Sequence, residues 1–494
     1  MVATLPEHPK LNRLMTAMPS AYTWIAITIF MSSPTFACAG GYAVVISEGT
    51  HADEQWREVA DTLLKKHDGQ LVRYKAELNE TRDQLRSLSP EQVCFVAQPH
   101  ESGRRYVAQV HALCRNLDSD PYYDCLWGIV TGFDATDALR IAQRKEPLVI
   151  RRVGSGTEIA LELCREGQWY CELEKGRHVA KQPDGKVKEL DGPEDTTQAL
   201  ADLLTEYNAD LFVTSGHATE RNWQIGFRYK NGYFRSAAGQ LYGRDTLGKE
   251  FAIRSDHPRV YLPIGNCLMG HIDGQDAMAL AWIHSVGVHQ MIGYTVPTWY
   301  GYAGWGMLDY FVEQPGRYTF AEAFYANQQA LIHRLTNYFP EIAIEENEPG
   351  QMSGVQVTCG DAARLAGLSE MDGKGLLFDR DVVAFYGDPG WEARMENGQL
   401  RWNQTLQKEG NRYTFEIHPL KDDQSFETVN SNGAQRGGRP IVQRLPYPLS
   451  KIELISGQQH QPLIADDFIL VPRPSEALDK PIRIVFDAFR EPSE

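Results

Sequence analysis

The segment ADLFVTSGHATERNW, residues 209–223, runs an apolar stretch, Leu211, Phe212 and Val213, straight into Ser215, Gly216 and His217. It reads as a buried strand that stops on a histidine set between glycine and alanine. A counterpart, VYLPIGNCLMGHID at 260–273, ends a second apolar run on Gly265, Asn266 and Cys267. In an open parallel sheet, ligands bind beyond the carboxyl ends of the strands, where the loops converge. If these two strands are neighbours, an imidazole and a thiol face one crevice. A free cysteine, with a pKa of about 8.5, is mostly protonated at neutral pH, and an adjacent histidine can take its proton. The same histidine can then protonate a leaving amine. The N–H groups of Ala218 and Cys267 would bind a tetrahedral oxyanion, a contact whose loss elsewhere costs on the order of 2.7–4 kcal/mol. Gly216 and Gly265 permit the close backbone approach this needs. Glu220, three residues after His217, would orient the imidazole or contact the substrate amine. Alone, each of His217 and Cys267 reads as a structural residue; together, after two strands of one sheet, they read as a catalytic dyad.

The rest of the chain says what sheet this is. YAVVIS (42–47), GQLVRY (69–74), QVCFVAQ (92–98), LWGIVTGF (126–133), ADLFVTSG (209–216), RVYLPIG (259–265) and HQMIGYT (289–295) are strand-like. They alternate with helical patterns such as ADEQWREVADTLLKKH, whose Trp56, Val59, Ala60, Leu63 and Leu64 share one face. Strands alternating with helices predict an α/β fold with a mostly parallel sheet covered on both faces. Residues 150–193, rich in charge and turns, read as an insertion, and 223–245 as a hairpin excursion. After about residue 375, short runs between turn residues (RDVVAFYGDPGW, RYTFEI, SKIELIS, DDFILVP, IRIVFDAF) predict an antiparallel β-sandwich over 376–494. The stretch SNGAQRGGRP (431–440) reads as a mobile loop.

The chain has 494 residues, enough for two or three cores, and a formal charge of −16. That balance disfavours nucleic acid as a partner, since no basic face offsets phosphate repulsion. Residues 1–39 carry Lys10 and Arg13, an apolar run (21–31) too short to span a bilayer, and the small-residue site Ala37, Cys38, Ala39. They predict a cleaved signal peptide, hence export to the periplasm, cell surface or medium, with no membrane span afterwards. A lipoprotein modified at Cys38 and an uncleaved anchor are the alternatives. Of eight cysteines, seven remain beyond the signal, which leaves one thiol unpaired if the others bridge. Cys164 and Cys171 would bridge a hairpin. Cys267 and His271 lack the partner pair a zinc site needs. VGSGTE (153–158) fits neither glycine-rich nucleotide pattern, and no Gly-x-Ser-x-Gly elbow occurs.

The motifs resemble those of the gingipain family of cysteine peptidases, in the same broad group as caspases and legumains. That family ends an apolar strand on a glycine-histidine motif, with a glutamate three and a tryptophan six residues on; here stand Gly216, His217, Glu220 and Trp223. It carries its cysteine after a small polar residue at a later strand end, matched by Asn266-Cys267. GIVTGFDATDALRIAQ and YGDPGW (386–391) resemble two further family segments, the second closing the peptidase domain before an immunoglobulin-like domain. The separation 267 − 217 = 50 also matches the caspase signature spacing of about 50.

The resemblance implies a caspase-like peptidase domain over 40–375, an exported cysteine endopeptidase acting on proteins or peptides, and no cofactor in the chemistry. It adds Trp223 to the substrate-binding candidates, beside Thr295, Trp299 and Tyr300 of the loop GYTVPTWYGYAGWG, which either wall a specificity pocket or pack. Asp118, Asp120 and Asp124 in NLDSDPYYD form either a solvated acidic loop or a structural calcium site such as gingipain relatives have. The sequence departs from the family at Ala218, where a glycine is usual. It shows no match for the acid that selects basic side chains in arginine-specific members. A silent binding or scaffolding protein on this fold, and a transpeptidase or amidase using the same dyad, are the other functional readings.

Overall fold

The computed structural model describes residues 41–490, apart from 183, 345–347, 353, 422–423, 430–435 and 475–479. The proposed signal segment and Cys38 lie outside the described residues, as do residues 431–435 of the loop read as mobile.

Twelve strands share one sheet: β1 (Tyr42–Ser47), β2 (Gln70–Tyr74), β3 (Gln92–Val96), β4 (Leu126–Val130), β5 (Arg152–Ser155), β6 (Glu166–Tyr170), β7 (Arg177–Lys181), β8 (Val187–Asp191), β9 (Leu211–Thr214), β10 (Arg259–Pro263), β11 (Val288–Tyr294) and β12 (Val383–Tyr386). Their spatial order is β2-β1-β3-β4-β12-β11-β10-β9-β5-β6-β7-β8. Every residue of β1, β4, β9, β10, β11 and β12 is buried. Helices cover both faces, which is why these strands read as continuous apolar runs rather than alternating ones. The helix Glu54–His67, for example, buries Trp56, Val59, Ala60 and Leu63.

The sheet consists of two parallel halves. Strands β2, β1, β3 and β4 pair in parallel, and so do β11, β10, β9, β5 and β6. Between them lies β12, parallel to β4 and antiparallel to β11. The two halves therefore run in opposite directions, and their carboxyl ends open on opposite edges.

Three sequence expectations change here. The stretch RDVVAFYGDPGW is not the start of the sandwich, because Val383–Tyr386 is the seam strand of the central sheet. Its continuously apolar composition suits a strand buried on both faces. Residues 150–193 are not simply an insertion: β5 pairs directly with β9 and with β6, and β6, β7 and β8 run on as an antiparallel meander at the sheet edge. Cys164 and Cys171 are unbridged, and all seven described cysteines are free thiols.

The excursion after His217 is a separate antiparallel sheet of five short strands spanning Ala218–Ile253. Beyond the seam, the strands Trp402–Glu409, Arg412–Pro419, Ile482–Arg490 and Leu449–Ser456 form one antiparallel sheet, and Ile441–Arg444, Phe468–Val471 and Leu463–Ile464 another. This is the expected β-sandwich, with its own core around Trp402, Phe415, Ile417 and Phe486. It is keyed to the α/β part by the described end of the 431–440 stretch. The buried Arg439 donates to Tyr302 O at 2.8 Å and Asn327 Oδ1 at 3.2 Å, and its guanidinium lies 3.6 Å from the Tyr302 ring centroid.

Candidate active site

Strands β9 and β10 are adjacent and parallel, with Thr214 opposite Pro263, so the two quoted segments end at one rim. Asn266, fully buried, ties them together. Its Nδ2 donates to Gly216 O at 3.2 Å, and its Oδ1 accepts from Thr214 Oγ1 at 2.7 Å. The residues that follow on the two sides of this bond are His217 and Cys267. Gly216 has φ +98° and Leu268 φ +58°. A left-handed leucine is strained by about 1–2 kcal/mol. Here it is held by a bond from its N–H to Val296 O at 3.1 Å. The chain thus turns sharply immediately after the cysteine.

Cys267 is partly exposed, and its Sγ accepts from the backbone N–H of Thr298 at 3.2 Å. Such a donor stabilises negative charge on sulfur. His217 is exposed, and its ring stacks on Phe227 with centroids 4.7 Å apart and planes at 28°. Among the described residues no hydrogen bond joins the two side chains. Gln224 N donates to His217 O at 2.9 Å. That makes 217 and 224 a hydrogen-bonded pair and 218 and 223, which face each other, a non-bonded one. The Ala218 N–H consequently points to the free edge of its two-residue strand, and the Cys267 N–H likewise has no partner among the described residues. Two backbone donors are thus left without a partner near the ends of β9 and β10.

Other sequence candidates fall differently. Glu220 does not meet His217: it lies in the turn after Ala218–Thr219, and its Oε1 is 3.2 Å from Nδ1 of His271, four residues beyond Cys267. Beside it Arg221 makes a two-pronged salt bridge to Asp273, at 2.6 and 3.1 Å. The hairpin is thereby latched onto the cysteine turn. Trp223 is 1% exposed and donates its indole N–H to Ser215 O at 2.8 Å. It props the strand end from inside rather than meeting a substrate. Thr295 is fully buried, its N–H and hydroxyl both on Val382 O at 2.8 and 3.0 Å. Tyr300, also buried, bonds Asp372 Oδ1 at 2.7 Å. Of the four substrate-binding candidates only Trp299, 48% exposed, is open at the surface. It directly follows the residue that touches the sulfur. Sequence reading missed Asn266 as a tie, Thr298 and Phe227, and weighed His271 only as a metal ligand. Asn266 was legible as the polar residue before the cysteine; Thr298 and Phe227 carry no local signal.

In the acidic loop, oxygens of Asp118 and Asp120 come within 4.8 Å of each other and of one from Asp466 in the sandwich. Burial pushes the Asp120 carboxyl up to about 6. Asp124 does not join them. It turns inward to accept from Leu117 N at 3.1 Å, and burial followed by Asp118 and Asp467 pushes its carboxyl up to about 10. The all-oxygen set of Asp118, Asp120 and Asp466 is of the type hard cations take.

No family model and no curated protein matches this sequence. Among solved structures, the fold is similar to that of the Arg-specific cysteine proteinase gingipain R, with TM-score 0.42 and 10% identity over 91% of each chain. It is likewise similar to a complex of the Porphyromonas gingivalis RgpB pro- and mature domains, with TM-score 0.42 and 10% identity, covering 88% of this chain and 94% of that one.

Proposed function

We propose that this chain is an exported cysteine endopeptidase with Cys267 as nucleophile and His217 as general base and acid. The observation that supports the reading is the bond from Asn266 Nδ2 to Gly216 O, which joins the residues immediately before Cys267 and His217 at the end of two parallel strands. The family resemblance of the flanking motifs supports it independently. His217 takes the thiol proton as sulfur attacks the scissile carbonyl carbon, and the C=O electron pair moves onto oxygen. The N–H groups of Ala218 and Cys267 stabilise that oxyanion. Collapse expels the amine, which takes the proton from His217, and leaves a thioester. Water, deprotonated by the same imidazole, then hydrolyses it. Calcium, if bound, would be held by Asp118, Asp120 and Asp466, pinning the acidic loop to the sandwich. Among the described residues no helix is long and apolar enough to cross a membrane.

The test is to profile a peptide library with the wild type beside Cys267→Ala. Cleavage should fall by about 10⁴-fold or more, and cleavage that survives the substitution ends the proposal. A silent scaffold is the second reading, favoured by Ala218 and by the unbonded dyad. It expects iodoacetamide to label Cys267 no faster than an ordinary thiol and no slower after His217→Ala. Ligation of added amines to the acyl product would instead point to a transpeptidase or amidase.

A further inference from the structure

An exposed histidine that works as a base needs its ring held, because a freely rotating imidazole spends most of its time out of line with the sulfur. In a Ser-His-Asp triad a buried carboxylate does this through Nδ1. Here the nearest sequence candidate for that task, Glu220, is turned toward His271. Neither ring nitrogen of His217 has a hydrogen-bond partner among the described residues. What the ring does touch is the face of Phe227, at 4.7 Å and 28°.

Phe227 is itself held firmly, although 46% exposed. Gly226, at φ +81°, turns the chain just before it. The N–H groups of Phe227 and Arg228 both donate to Glu172 O, at 2.6 and 3.2 Å. Glu172 follows β6, and its Oε1 accepts from Thr157 Oγ1 at 2.9 Å, just past the end of β5. The backbone that carries the aromatic ring is therefore anchored to the same sheet edge that carries His217 and Cys267, through two different strands.

Resting on the dyad reading above, we propose that Phe227 is a positioning residue for His217, setting the plane of the imidazole by stacking in place of a carboxylate. Stacking engages the face of the ring and leaves both edge nitrogens open, one to take the thiol proton and pass it to the leaving amine, the other for solvent. The negative face of the benzene ring also attracts a cation.

The experiment compares the full chain with Phe227→Leu, which keeps apolar bulk without a ring, and Phe227→Tyr, which keeps the ring. With a substrate whose cleavage depends on Cys267, Phe227→Leu should lower kcat about tenfold with KM within about twofold, and Phe227→Tyr should stay within about twofold of wild type. A second arm follows the pH profile of Cys267 alkylation by iodoacetamide, with His217→Ala as reference. Phe227→Leu should move the profile toward that reference, and Phe227→Tyr should not. Wild-type kcat in Phe227→Leu, a change confined to KM, or an alkylation profile that ignores Phe227 would overturn the proposal. Should the wild type show no Cys267-dependent cleavage, the peptidase reading is what fails, and the alkylation arm alone then decides the role of Phe227.

Discussion

The two halves of the central sheet are built alike and finish differently. In the first half, the carboxyl ends of β1 and β3 close on each other. Ser47 Oγ and Thr50 Oγ1 donate to the two oxygens of Glu101, at 2.7 and 2.5 Å, and Gln98 N donates to the second at 2.9 Å. In the second half, the carboxyl ends of β9 and β10 are tied by Asn266, the residue before Cys267, and the tie consumes a backbone carbonyl. His217, the partly exposed thiol of Cys267 and two backbone N–H groups remain available. A rim whose polar side chains satisfy one another is a fastening; a rim tied by one buried side chain, Asn266, to a backbone carbonyl and a buried hydroxyl can leave its other side chains free.

That contrast predicts opposite outcomes at the two rims and at the seam between them. The largest stability effect is expected at the seam. His111 is fully buried, with Nδ1 2.6 Å from Tyr123 Oη and Nε2 2.8 Å from Val383 O of β12, and burial holds its pKa down to about 4. The carbonyl can only accept, so Nε2 carries the proton and Nδ1 accepts from the tyrosine. A depressed histidine keeps its stabilising neutral form above its unfolded pKa of about 6.5. Stability is lost as pH falls from there toward 4, because the unfolded chain gains a proton that the native ring refuses. The loss is on the order of 3 kcal/mol. Denaturant midpoints measured across that window should drop, and a substitution that keeps the fold, such as His111→Gln, should flatten the drop.

The seam has a second acid-sensitive group, Asp388 of the YGDPGW segment. Burial opposes its charge, but the hydrogen bond from His67 at 2.8 Å and the Lys66 ammonium, also at 2.8 Å, outweigh this and hold the carboxyl below the usual carboxylate range. Its contribution is present above about pH 4 and fades only at lower pH. The two groups therefore separate in an acid titration, His111 first and Asp388 after it.

At the closed rim, Glu101→Ala should lower unfolding free energy by about 2 kcal/mol, since two hydroxyls and an N–H lose their acceptor. Specific activity should not change. Cys267→Ala should do the reverse, erasing activity at unchanged stability. A Glu101→Ala protein that folds normally but has lost activity would undo the distinction between the rims. The smallest effect is expected for Glu220→Gln. Its carboxylate faces His271 in a partly exposed pair worth roughly 0.5 kcal/mol. Catalytic rates should change less than about threefold, whereas a tenfold fall in kcat would return Glu220 to the imidazole.

Much of this architecture was legible because burial leaves a mark on composition. Strands covered on both faces read as apolar runs, and Leu211–Phe212–Val213 before Gly216-His217 announced both the strand and its end. Spacing could say that His217 and Cys267 each close a strand. It could not say that β9 and β10 are neighbours, nor that Val383–Tyr386, distant in the chain, would join the two half-sheets. Glu220, Trp223, Thr295 and Tyr300 have residue types suited to a site, yet the fold spends them on a hairpin latch, a pillar and core anchors. Side-chain direction depends on strand register and turn geometry, which one residue of offset reverses.

The sequence by itself determined that a histidine and a cysteine end two buried strands of an α/β sheet, and that a sandwich follows. Only the tertiary structure decided which strands meet, that Asn266 joins them, and that Phe227 rather than Glu220 lies against the imidazole. The physical reason is that burial and strand propensity are summed over local residues, while contacts across a rim come from segments that chain order does not bring together.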